Sequence, residues 1–228
     1  CVRYGNSWKP EGLIQRYSNN IRYGALSYLN IDGNGRNGGV LRSPQKYVGQ
    51  EIRTPKVLGT QDNPNKEWDT ATGIINTNPD SDPIGNSGVI NYINKFGELT
   101  NEHKDNDPVS ELYYTALRYF KNQGDVPSYS STSNDIQKVK FPVVTAWTDP
   151  MEYACQKNVI LGIGDVYTHE DRDIPVAGDT LDINAYTNKV LKLEGINKTA
   201  NTEFTGRNNS AYIAGLAYYA NTTDIRED

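Results

Sequence analysis

Apolar residues along this chain gather in a few stretches, and their spacing within each stretch separates helix from strand. Val109, Leu112, Tyr113, Ala116, Leu117 and Phe120 fall at offsets 0, 3, 4, 7, 8 and 11, the stripe of a helix with one buried face. Asp107 stands before it as an N-cap, Pro108 occupies the first turn and Glu111 lies near the positive end of the dipole. Lys121 and Gly124 close it. Val89, Ile93 and Phe96 align in the same way and predict a helix over 88–97 that stops at Gly97. Two further helices are expected over 179–193 and 210–220, the last burying Ile213, Leu216, Ala217 and Ala220. A short helical piece is expected over 13–17.

The extended period is clearest in two places. Ile21, Tyr23, Ala25, Ser27 and Leu29 alternate along one strand face, and a second strand over 40–48 is broken at Pro44. Val159 to Ile163 has no polar break, is rich in β-branched residues and ends at a glycine followed by an acid. That pattern predicts a central strand buried on both faces, with its carboxyl end opening into a loop. Ligands gather beyond such ends, so Asp165, Thr168, His169, Asp171 and Asp173 are the first place to look for a site. The same residues read equally well as a solvated loop.

Between the strands, Asn30, Asp32 and Asn34 precede a glycine with the spacing of the first half of a calcium loop. Leu41 stands where the bidentate acid of such a loop belongs, and the alternative is a Gly/Asn hairpin turn. Periodicity is lost from about 49 to 88, where Pro, Asn and Asp dominate, so this stretch is expected to be a long surface insertion.

The chain has 228 residues, enough for one sizeable domain. Only 36% are hydrophobic and the mean hydropathy is -0.70, so much of the length is expected to be exposed connection. Tyrosine dominates the aromatics, 16 against 4 Phe and 3 Trp, which suits half-wet binding faces as well as ordinary sheet and helix surfaces. A net charge of -5 without a basic run gives no footprint for nucleic acid. No apolar stretch approaches the roughly 20 residues needed to span a bilayer. Cys1 and Cys155 lie far apart, leaving a long-range disulfide, two free thiols or partners elsewhere as alternatives. A chain opening on Cys1 is expected to be a processed product or a piece of a longer one.

Several blocks appear in the order of one known family. They are Lys9-Pro10-Glu11-Gly12-Leu13-Ile14-Gln15, Asn37-Gly38-Gly39-Val40-Leu41-Arg42, Val89-Ile90-Asn91-Tyr92-Ile93-Asn94-Lys95-Phe96-Gly97, Asp107-Pro108-Val109-Ser110-Glu111-Leu112-Tyr113, Cys155-Gln156-Lys157-Asn158 and Gly215-Leu216-Ala217-Tyr218-Tyr219-Ala220. Together they resemble the PilC/PilY proteins, large secreted proteins associated with the tip of the bacterial type IV pilus.

The resemblance implies an α/β fold over 1–228 like that of a von Willebrand factor A domain, a Rossmann-like open sheet with helices on both faces and long insertions. It departs from the family in lacking the Asp-x-Ser-x-Ser motif of the first strand, and that strand is expected to be missing. Of the three metal-binding loops of such a domain, two have counterparts here. They make Asp107, Ser110 and Asp165 candidates for calcium or another divalent cation, with a helix cap and a loop turn as the alternative roles.

The implied function is non-enzymatic: surface attachment, pilus assembly and retraction, and twitching motility, at the cell surface with passage through the periplasm or outer membrane. Minor pilins and a host or abiotic surface receptor are the implied partners. Two other readings stand beside it. One is a calcium-dependent carbohydrate-binding module using Asn30, Asp32 and Asn34 with a nearby aromatic ring. The other is a metal-dependent hydrolase using Asp165, His169, Asp171 and Asp173, which lacks any His-x-x-x-His or Gly-x-Ser-x-Gly pattern.

Overall fold

A computed structural model describes residues 1–30, 37–53, 59–96, 98, 104–164, 168–175 and 181–226. In chain order the elements are β1 (Val2–Tyr4), β2 (Ser7–Lys9), α1 (Leu13–Arg16), β3 (Tyr23–Ser27), β4 (Val40–Lys46), β5 (Glu51–Arg53), β6 (Thr60–Asp62), α2 (Val89–Lys95), α3 (Val109–Phe120), α4 (Pro127–Ser130), α5 (Asp135–Lys138), α6 (Ile183–Leu193) and α7 (Tyr212–Thr222). The strands form three two-stranded sheets, β1 with β2, β3 with β4 and β5 with β6. Packing divides the chain into two compact units. The first holds Cys1–Leu26, Leu41–Glu102 and Asn134–Val144; the second holds Ser27–Val40, His103–Ser133 and Thr145–Asp228.

In the first unit β1 and β2 are antiparallel, with Arg3 opposite Trp8. β5 and β6 are antiparallel with Ile52 opposite Gln61. Ala25, Val48, Trp68, Val89, Ile90, Tyr92 and Phe141 make the core. Tyr92 meets Phe141 edge-on, their ring centres 5.0 Å apart. Buried Arg42 lies over Tyr92 and donates to the carbonyls of Lys138 and Pro142 at 3.0 and 3.2 Å. The guanidinium thereby replaces lost water with backbone acceptors, as a buried charge must.

The segment 49–88 is not the plain surface insertion expected of it. Asn63, Glu67, Trp68 and Ser87 are buried within it. Its Asn and Asp side chains act as internal acceptors and donors: Asn63 reaches the carbonyls of Tyr47 and Gly49, both at 2.8 Å, and Asp69 accepts from the amides of Ala71 and Thr72. Such side chains substitute for sheet hydrogen bonds. A polar composition therefore conceals a packed segment.

The second unit is built on three helices. Tyr114 and Leu117 of α3, Ile183 of α6, and Tyr212, Leu216 and Tyr219 of α7 share one core with Val126, Tyr129, Leu181 and Ala200. Gly215 lets α7 cross close to α6, since a Cβ there would lie 2.2 Å from the Thr187 hydroxyl. The helix positions follow the sequence reading, but the buried faces differ. α3 buries Ser110, Glu111 and Thr115 along with Ala116, Leu117 and Phe120 of its apolar stripe, while Val109, Leu112 and Tyr113 are only half-buried. In α7 Tyr212 and Tyr219 turn inward and Ala217 is exposed, because burying rings removes more apolar area from water than burying methyl groups. In α2 the first turn is buried and Ile93 and Phe96 are exposed.

The expectation of a central strand at 159–163 is corrected. The run is irregular and belongs to none of the strands, and Val159, Leu161 and Ile163 are 83%, 81% and 89% exposed. Apolar, β-branched composition favours extension but supplies no neighbour, and two glycines, Gly162 and Gly164, weaken the run. The break expected at Pro44 is also absent: β4 continues through it to Lys46.

Candidate functional site

Of the acids singled out in the sequence, Asp107, Asp171 and Asp173 converge on the start of α3. Pro108 is the N-cap residue and offers no side-chain hydrogen bond, so the first amides of the helix need acceptors from elsewhere. The Asp107 side chain does not supply them. The Asp107 backbone carbonyl accepts from the Val109 amide at 2.7 Å, and its carboxylate faces His169 Nδ1 at 2.6 Å. The cap comes instead from Asp171, which is fully buried. One of its oxygens accepts from the Ser110 amide at 2.7 Å and the other from the Ser110 hydroxyl at 2.6 Å.

Asp171 is held in place by its own backbone. The Ser210 hydroxyl donates to its carbonyl at 2.6 Å, and its amide donates to the Asn208 carbonyl at 3.1 Å. The Glu170 amide donates to the Arg207 carbonyl at 2.8 Å, and the Asn208 side chain reaches the Glu170 carboxylate. Glu170, Arg207 and Asn208 all have positive φ, near 50°. The surrounding bonds hold three non-glycine residues in a sparsely populated conformation.

Glu111 completes the arrangement from the helix side. Also fully buried, it accepts from the Gly38 amide and from the Asp173 amide at 2.9 Å. Asp173 in turn accepts from Asn37 through its side chain at 3.0 Å and from the Tyr129 hydroxyl through its carbonyl at 2.7 Å. Gly38 has φ +86°, and a Cβ there would lie 1.9 Å from the Tyr129 ring. Only glycine fits this contact. The strap 168–175 is thus clasped to α3 by two acids facing in opposite directions.

Burial pushes the Asp171 carboxyl up to about 6, against the opposing bonds from Ser110. Burial pushes Glu111 up to about 8, opposed by the Asp173 and Gly38 amides and reinforced by the charges of Asp171 and Asp173. The Tyr28 hydroxyl is also raised, first by burial and then by Asp107, Asp171 and Glu111. The clasp therefore carries more negative charge than its surroundings solvate well.

Ser110 is fully buried, and its hydroxyl donates to Asp171. Of the set expected to hold a metal, Asp107 pairs with His169, the Ser110 hydroxyl donates to Asp171, and Asp165 lies outside the described residues. Among the described residues no three His, Cys, Asp or Glu side chains are grouped to hold a metal ion. Of the calcium-loop residues, Asn30 is half-buried while Asp32 and Asn34 lie outside the described residues. Cys1 and Cys155 are both free and exposed, one in each unit.

The first unit repeats the device. Buried Glu67 accepts from the Val89 and Ile90 amides at 2.9 and 2.7 Å, fastening the start of α2, and Lys46 lies 3.3 Å from the same carboxylate. Neither Glu67 nor the partners Gly38 and Tyr129 stood out in the sequence.

Two helix starts are each capped by an acid from a distant part of the chain, in a structure of mixed helix and strand. A family model described as "PilY1 homolog, second domain" matches residues 27–223. The chain belongs to this PilY1 family. It is 41% identical over 273 aligned residues to a type IV pilus biogenesis factor PilY1 homolog of Xylella fastidiosa (strain Temecula1 / ATCC 700964), an alignment covering 100% of this chain and 22% of that relative. The chain therefore spans about a fifth of the relative's length. No solved structure matches.

Proposed function

We infer that this chain is an extracellular part of a type IV pilus tip protein, acting in surface attachment and in pilus assembly and retraction without catalysing a reaction. The observation that carries the reading is the 41% identity to a pilus biogenesis factor along the whole chain. Two further features support it. The acids that could have formed a catalytic or metal centre are engaged by the protein's own donors, and no described helix is long and apolar enough to cross a membrane. Minor pilins and a host or abiotic surface are the partners this reading requires.

The test is made in the full-length pilus protein. The region equivalent to residues 27–223 is removed in frame, and protein level, surface pilin, twitching zone and attachment are measured. Normal protein level with fewer surface pili or lost attachment supports the reading. Wild-type piliation, twitching and attachment from a stably produced variant refute it.

A further inference from the structure

Near the start of α2 the first unit brings one amine and two carboxylates together. Lys46, the last residue of β4, bonds through Nζ to the Asp80 carboxylate and lies 3.3 Å from Oε1 of Glu67. Water is largely kept out: the Lys46 and Asp80 side chains are 18% and 24% exposed, and that of Glu67 only 1%. The three groups come from separate parts of the chain, and each is fixed in place. Lys46 ends a strand that pairs with β3, and Glu67 is held by the Val89 and Ile90 amides. The Asp80 amide donates to the Ser87 hydroxyl at 2.9 Å, which itself donates to Asn78 at 2.8 Å. Gly88, at φ +90°, permits the close approach, since a Cβ there would lie 2.7 Å from Pro79 and 3.0 Å from the Glu67 carboxyl carbon.

A primary amine, a carboxyl group in contact with it and a buried carboxylate beside both are the parts of an amide-forming centre. We propose that Lys46 and Asp80 condense to an intramolecular isopeptide bond, with Glu67 as the proton carrier. Glu67 takes a proton from the Lys46 ammonium, and the freed nitrogen lone pair attacks Cγ of Asp80. The tetrahedral carbon then expels one carboxyl oxygen, which leaves as water with two protons drawn from the amine. One ammonium and one carboxylate thus become one neutral amide and one water, so the balance needs no oxidant and no activating group. Free in water the two groups do not condense; held in contact they gain an effective concentration on the order of 10⁵–10⁸ M. The amide also removes a pair of ions from a covered site, where charges are costly to keep. Glu67 is the carrier rather than the acylating group, because both of its oxygens are held by backbone amides. The bond forms once per chain, without turnover on any substrate, and ties the end of β4 to the segment before α2.

Intact mass of the 228-residue chain, shown to be folded by circular dichroism, tests this directly. The unmodified chain should weigh less than its sequence by one water. Trypsin should release residues 43–53 still joined to residues 67–95, with fragmentation placing the link between Lys46 and Asp80. Lys46→Arg, which keeps the positive charge, and Asp80→Ala should each restore the full sequence mass. Glu67→Gln keeps an oxygen for the α2 amides but carries no proton between the partners, and it should be recovered mostly at full mass. A folded unmodified chain at its full sequence mass, a loss of water that survives Asp80→Ala, or one indifferent to Glu67→Gln overturns the proposal.

Discussion

Replacing Asp171 separates the two roles its carboxylate plays, as acceptor and as buried charge. Asp171→Ala leaves the Ser110 amide and hydroxyl without their acceptor inside the protein. Stranding a buried polar group costs about 1–3 kcal/mol and losing a helix cap about 1 kcal/mol, so a loss of about 2–4 kcal/mol is expected. Asp171→Asn keeps a carbonyl oxygen for the Ser110 amide, and the Ser110 hydroxyl can rotate to accept from the new amide group. The clasp then survives without its charge.

The pH dependence fixes the sign. The folded carboxyl of Asp171 titrates near about 6 rather than at its ordinary 3.8, so the folded state holds the proton more tightly than the unfolded one. Protonation therefore favours folding. This contribution is complete below the ordinary value and is lost as pH rises through about 6, an effect of about 3 kcal/mol at about 1.4 kcal/mol per unit. Glu111 acts in the same sense over a higher window, from its ordinary 4.5 to about 8. Asp69 and Asp149 act in the opposite sense, because bonds from Thr72 and Arg226 respectively hold them below 3.8, and their window lies below both.

Urea unfolding followed by tryptophan fluorescence, at pH values between about 4 and 8, reads these contributions in the range where they fall. The unmodified chain should gain stability on acidification. Asp171→Asn should match or exceed it at the alkaline end and show a flatter profile at the acidic end, while Asp171→Ala should be less stable throughout. Equal losses in the two variants, or an unmodified chain that weakens steadily from the alkaline end to the acidic end, would refute the reasoning.

The remaining predictions concern the clasp's other contacts, the first unit and the thiols. Gly38→Ala forces a side chain into the Tyr129 ring at a positive φ and should cost roughly 2–4 kcal/mol in the same unfolding assay. Glu67→Ala uncaps α2 and removes the ion-pair partner of Lys46, with an expected loss of about 2–4 kcal/mol; Glu67→Gln should fall between it and the unmodified chain. Cys1 and Cys155 are exposed, so the reduced native chain should take up two alkylating groups by intact mass without denaturant. A single group would mean that one thiol is covered.

Local regularities in the sequence revealed the helices, whereas the features that fasten them depend on distance. α3 was legible because its apolar spacing repeats within a few residues and Pro108 marks its start. Its cap was not, since Asp171 lies 61 residues from Ser110 and Glu67 lies 22 from Val89; no short-range rule joins such pairs. Asp107 has the chemistry of an N-cap, but the carboxylate is drawn to His169 instead.

The segment after Gly164 was singled out for its acids, and His169, Asp171 and Asp173 do meet around α3. They do so as fasteners rather than as the rim of a central strand. Val159 to Ile163 failed as a buried strand for a related reason: an apolar run records a tendency to extend but does not say what lies beside it. The Asn and Asp residues of 49–88 were read as solvated because their internal partners, such as the carbonyls of Tyr47 and Gly49, are set by a backbone path that composition does not reveal.

Amide hydrogen exchange at Gly38, Ser110 and Asp173 tests most directly whether buried carboxylates hold the strap 168–175 against α3. All three amides donate to Asp171 or Glu111. Each should exchange as slowly as the amide of Leu117 in the middle of the helix, and Asp171→Ala should release Ser110 first. Exchange of these three amides at the rate of an open loop, with Leu117 still protected, would contradict the account.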